Sequence, residues 1–223
     1  MFGKKKVAML GAELIGTAVL TLSVISVRSS GIGYSFFVAL GAGLAMAVLT
    51  FALSANSGAQ LNPALTIGLW TARKVKTLPT VLYVVVQLLG AWAAYGLYIY
   101  LVKTHLQNSS SGFSARVMLA EAVGTFIFVF GWAAAVAQKF EGIQLAATVG
   151  GAFALGIMVA SLASSGIINP AVAFGTHAWN IFGSGGWGTY ALGPVVGGVV
   201  GVNLYNMVFA NGKATFKVVA KKK

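Results

Sequence analysis

The sequence predicts an all-α membrane protein, with six transmembrane helices and two re-entrant half-helices arranged as an inverted three-helix repeat. Three observations predict it. The 223 residues are 58% hydrophobic and only 8% charged, with a mean hydropathy of +0.86. A soluble domain carries roughly a quarter charged residues, and disorder requires low hydrophobicity. Six apolar stretches reach the roughly 20 residues that cross a bilayer core as a helix, and the chain repeats itself with three spans in each copy.

In chain order the spans are approximately Val7–Val27, Tyr34–Leu53, Leu78–Val102, Val117–Gln138, Ile143–Ala163 and Trp187–Ala210. Met1–Lys6 and the first span imitate a signal peptide, but the apolar run is long, carries Glu13 and ends without a cleavage site. It is read as a retained helix. Two further apolar stretches, Asn62–Thr71 and Asn169–Asn180, each begin with Asn-Pro-Ala. As helices they reach about 15–18 Å, half of a core about 30 Å thick, so they enter the membrane without crossing it.

The charges set orientation. Six spans leave both termini on one side, with Lys4, Lys5, Lys6, Arg73, Lys74, Lys76, Lys139, Lys213, Lys217, Lys221, Lys222 and Lys223. The other side holds Arg28, Lys103 and Arg116, so 12 cations face 3. Positive charge marks the cytoplasmic side, which puts both termini in the cytoplasm. The net charge of +12 is therefore read as topology, and no nucleic-acid partner is expected. The outer loop Thr104–Ser114 contains Asn108-Ser109-Ser110, a glycosylation acceptor pattern that a Ser-rich loop also yields by chance.

Chemistry is sparse. With no Cys, no Asp, three Glu and two His, the chain offers no thiol and little acid–base capacity. No enzyme activity, metal or cofactor is expected. His105 lies in the outer loop. His177, on the second half-helix, is either a satisfied polar residue or part of the outer vestibule.

Ala12-Glu13-Leu14-Ile15-Gly16-Thr17 opens one half and Ala120-Glu121-Ala122-Val123-Gly124-Thr125 the other. Glu13 to Asn62 is 49 residues and Glu121 to Asn169 is 48. Three spans per copy make the second copy inverted, with repeats at about 7–102 and 117–210 in a single transmembrane domain covering 1–223. Inverted repeats with broken helices place a site near the midplane, at the repeat interface.

Asn is a strong N-cap and Pro suits the first helical position, so Asn62-Pro63-Ala64 and Asn169-Pro170-Ala171 are good helix starts. At membrane depth, irregular backbone survives only beside protein or a water-filled cavity. Two half-helices meeting N-terminus to N-terminus present positive potential and amide donors, which suits neutral hydrogen-bond acceptors and repels cations. Gly58-Ala59-Gln60-Leu61 and Ser165-Gly166-Ile167-Ile168 supply carbonyls on the approach. Intramembrane Glu13 and Glu121 either carry a transported ion or brace the N–H groups of the hairpins. Their matched placement favours bracing. Gly193, Gly197 and Gly201, four apart, and Gly90-Ala91 after Gln87 are read as helix packing.

These residues resemble the aquaporin (major intrinsic protein) family along nearly the whole chain. The resemblance rests on Ser57-Gly58-Ala59-Gln60-Leu61-Asn62-Pro63-Ala64, Ile168-Asn169-Pro170-Ala171, the paired Ala-Glu-x-x-Gly-Thr starts, Gln87-x-x-Gly90-Ala91 and Gly193-Pro194-x-x-Gly197. It implies six spans, two half-helices, one pore per subunit and a homotetramer in lipid, multi-pass in the plasma membrane. It also implies an outer filter at Ala42, Ile157, Gly166 and Val172. The family usually has Arg where Val172 stands, and its glycerol branch often has Asp where Ala173 stands. The chain therefore looks like a divergent member, with a filter wider than a strict water filter and without its cation. The expected function is a passive channel for water and small neutral solutes of glycerol, urea or ammonia size. The alternatives are a broad neutral-solute facilitator with low water selectivity, an ion-coupled secondary transporter, or an adhesive protein with a closed pore.

Overall fold

The computed structural model describes residues 3–30, 35–106, 112–177 and 186–209. Tyr34, Asn108, Asn180, Ala210 and the lysines from Lys213 onward lie outside these residues. The elements are α1 (Lys4–Ser29), α2 (Ser35–Ser57), α3 (Pro63–Thr71), α4 (Thr77–Val102), α5 (Ala115–Ala137), α6 (Gly142–Ala160), α7 (Pro170–Gly175) and α8 (Gly193–Val208). A π-helical turn, Gly188–Leu192, leads into α8. It falls where Pro194 removes a donor from the α-helical ladder. Counting that turn with α8, six helices are long and apolar enough to cross a membrane.

Two boundaries differ from expectation. α7 ends at Gly175, where Asn180 was expected. The Thr176 hydroxyl donates back to the Val172 carbonyl at 2.8 Å, and His177 turns left-handed at φ 57°, which closes the helix. α6 ends at Ala160, three residues early, in turns over Ser161–Ser164.

Burial is inverted relative to a soluble protein. Glu13, Gln60, Asn62, Gln87, Glu121 and Asn169 are fully buried, whereas Val48, Phe51, Trp92 and Leu119 face outward. Lipid makes outward apolar surface cheap, and the unsatisfied polar group is what has to be hidden.

The packing follows the repeat. α1 lies against α4 and α2, and in the second half α5 lies against α8 and α6. α2 and α6 join the halves, while each half-helix packs on the last span of the opposite half, α3 on α8 and α7 on α4. Small residues permit the crossings. A Cβ on Gly90 would collide with the Leu14 carbonyl of α1, and one on Gly197 with the Ala122 carbonyl of α5. Backbone contact of this closeness drives helix association where lipid removes the hydrophobic difference.

Candidate pore and outer filter

Each half-helix starts as its sequence requires. The Asn62 side-chain oxygen accepts from Ala64 N at 2.9 Å, and that of Asn169 from Ala171 N at 3.0 Å and Val172 N at 3.3 Å. Pro63 and Pro170 take the first helical position.

The residues before each Asn carry strain. Leu61 and Ile168 are left-handed, at φ 50° and 47°. That conformation costs about 1–3 kcal/mol for a residue with a branched side chain and persists only where surroundings enforce it. Glu13 provides that enforcement in the first hairpin: its carboxylate accepts from Gln60 N at 2.9 Å, Leu61 N at 2.7 Å and Gln87 Nε2 at 2.8 Å. Glu121 does the same in the second, accepting from Ile167 N at 3.0 Å, Ile168 N at 2.6 Å and Ser164 Oγ at 2.7 Å. All partners of both carboxylates are donors.

The left-handed turn sends each carbonyl to the opposite hairpin. Asn62 Nδ2 donates to the Ile168 carbonyl at 3.0 Å, and Asn169 Nδ2 donates to the Leu61 carbonyl at 2.8 Å. One hydrogen of each amide locks the hairpins together, and the other has no acceptor among the described residues. Thr125 Oγ1 adds a bond to the Ile168 carbonyl at 3.3 Å, and the Thr17 hydroxyl, its counterpart in the first half, is buried without a partner. Thr21, Thr50 and both side-chain atoms of Gln60 are also buried without protein partners. Such groups ordinarily bond to water.

Of the outer residues, Ala42, Ile157 and Val172 join one buried apolar cluster that includes Leu61 and Ile168. Gly41 faces Val27 of α1 and Gly43 faces Ala154 of α6, which leaves Ala42 inward. Gly166, at φ 61°, sits so close to the Ile157 carbonyl that a Cβ would lie 2.8 Å from it. The side chains of Ile157 and Val172 are both buried, 2% and 1% exposed.

Three contacts escaped the sequence reading. Gln87 binds both Glu13 and the Thr66 hydroxyl, the latter at 3.1 Å. Ser164 links Glu121 to Gly166 N, which donates to the Ser164 hydroxyl at 2.9 Å. Arg28 Nη2 donates to the Ser165 carbonyl at 3.1 Å. Gln87 stood in a recognised motif and was the findable one; nothing in the spacing ties Arg28 to residue 165. His177 stacks on Tyr95, with ring centroids 4.1 Å apart, and Tyr95 Oη lies 3.2 Å from His105 Nδ1.

The family model for the major intrinsic proteins matches residues 4–205. The chain belongs to the major intrinsic protein family. That family is one of membrane channels rather than enzymes, and the chain is an integral multi-pass membrane protein. It is 32% identical over 201 residues to aquaporin AqpM of Methanothermobacter marburgensis, covering 78% of this chain and 77% of the relative. It is 26% identical over 227 residues to aquaporin Z of Photorhabdus laumondii, covering 90% and 97%. The fold matches the X-ray structure of the aquaglyceroporin from Plasmodium falciparum with a TM-score of 0.71 at 24% identity, over 91% of this chain and 96% of that one.

Proposed function

We propose that this major intrinsic protein is a passive channel for water and small neutral solutes, with one pore per subunit of a homotetramer. The observation that carries the reading is the reciprocal pair of bonds from Asn62 to the Ile168 carbonyl and from Asn169 to the Leu61 carbonyl. It brings two half-helix N-termini together at the centre of the fold. Each contributes about half a positive charge and one free amide hydrogen, a combination that attracts a neutral acceptor and disfavours a cation. Glu13 and Glu121 brace the hairpins in this reading, because the donors around them are the strained backbone itself.

Ala42, Ile157, Gly166 and Val172 form the outer filter. Their own side chains offer no hydrogen-bond donor, so these four residues contribute size and backbone carbonyls to selection. With six spans, Lys4, Lys5, Lys6, Arg73, Lys74, Lys76 and Lys139 fall on the side of the termini, which supports cytoplasmic termini; the membrane is read as the plasma membrane.

Stopped-flow light scattering on reconstituted vesicles tests the proposal. An impermeant osmolyte reports water efflux, and re-swelling in glycerol or urea reports solute entry. The expected result is water flux above that of empty vesicles, with re-swelling for at least one neutral solute. Absence of both sinks the reading.

A further inference from the structure

Arg28 was counted in the sequence as one of three outer-side charges. In the structure it does more than end a helix. It stands on the last turn of α1, and its Nη2 donates to the carbonyl of Ser165, the residue directly before Gly166 of the outer filter. Ser165 is held from the other side as well, its hydroxyl accepting from Tyr190 Oη at 3.2 Å. Arg28 is only partly exposed, and no residue in the described structure forms a salt bridge with it. A guanidinium carries five N–H donors. One is spent on Ser165, and the others have no acceptor among the described residues.

A cation is therefore tied to the residue directly before Gly166 of the outer filter, while the second half-helix carries only Val172 at the place where relatives are expected to carry Arg. We propose that Arg28, delivered from α1, is the specificity-determining cation of the outer filter. The inference rests on the filter reading given above. The guanidinium repels protons and metal cations at the entrance, and its free N–H groups offer hydrogen bonds to a neutral acceptor such as water or a polyol hydroxyl. The charge enters from a different element, so Val172 is free to be small and apolar without loss of cation exclusion.

A merely structural role is the competing explanation, since Arg28 also pins the hairpin backbone. The double variant Arg28→Gln with Val172→Arg separates the two, because it supplies a cation at the filter without the bond from Arg28 Nη2 to the Ser165 carbonyl, which the shorter Gln side chain does not reach. Arg28→Met, which keeps the stem and loses the donor, is the second variant, and Arg28→Lys keeps the charge. The full-length chain is reconstituted in vesicles with an internal pH dye and an imposed potassium diffusion potential, and water flux is recorded on the same preparations. The expected result is a proton leak raised about tenfold in Arg28→Gln and Arg28→Met, the scale set by removing one unit charge from a constriction. Arg28→Lys stays near the parent, and adding Val172→Arg to Arg28→Gln restores exclusion. Parental leak in an Arg28→Gln or Arg28→Met channel that conducts water overturns the inference and leaves the channel reading standing. A parent chain that conducts neither water nor neutral solutes overturns the channel reading instead.

Discussion

Replacing Glu13 by Gln tests the bracing arrangement at its centre. The carboxylate accepts three donors, two from the backbone of the first hairpin and one from Gln87, and the residue is fully buried. An amide side chain has one acceptor oxygen. If that oxygen stays where Leu61 N and Gln87 meet it, the new NH2 group confronts Gln60 N, and a buried donor is left unpaired. A lost hydrogen bond to a charged group costs about 1.5–3 kcal/mol. The strain at Leu61, about 1–3 kcal/mol, is then less firmly held. A destabilisation of about 2–4 kcal/mol follows, or a fall in melting midpoint of about 4–16 °C for a chain of this size. Fluorescence-monitored melting in detergent measures it, alongside water flux per folded channel. The surviving folded fraction should still conduct water at any imposed pH gradient. Unchanged melting together with loss of a gradient-dependent flux would refute the reasoning and make Glu13 a transport group.

Three further outcomes are expected. Gly197→Val puts a side chain into the Ala122 carbonyl of α5, and such overpacking costs about 1–3 kcal/mol, read as a lower melting midpoint and aggregation on gel filtration. Val172→Arg places a second guanidinium near Arg28 and narrows the filter, so glycerol or urea entry should fall more than water flux; equal effects on both would mean that the filter is elsewhere. Burial, and secondarily the neighbouring His105, hold the His177 imidazole below its ordinary value. Its neutral form is thus favoured in the folded state, so its contribution to stability is complete above about pH 6.5 and is lost as pH falls through the folded value. Melting midpoints between about pH 8 and pH 5 should therefore decline toward acid, with a shallower decline in His177→Gln.

Much of the fold was legible because lipid imposes simple rules. A helix must be about 20 residues long to cross, so α1, α2, α4, α5 and α6 were found within a few residues from apolar length alone. The repeat exposed α3 and α7, because Asn-Pro-Ala after a matched Glu is a local signal of a capped helix start. What stayed hidden were contacts between distant residues. The end of α7 depends on Thr176 turning back onto Val172, and Thr176 has no sequence signature as a stop. That one asparagine hydrogen is spent on the opposite hairpin follows from left-handed Leu61 and Ile168, residue types whose sequence argues against that conformation. Residue volumes alone likewise do not reveal that Ile157 and Val172 join one buried cluster with Leu61 and Ile168. Arg28 was legible only as a charge, since the reach from α1 to Ser165 spans 137 positions in sequence.

Passive conduction between the two hairpins is tested most directly by the dependence of flux on its driving force. Initial rates of water and glycerol movement through reconstituted vesicles are to be measured across rising osmotic and solute gradients, with and without imposed proton or sodium gradients. Rates that rise linearly with the gradient of the permeating species and ignore the proton and sodium gradients are the predicted result. Saturating rates that require either ion gradient would contradict a channel and place ion coupling on the buried carboxylates.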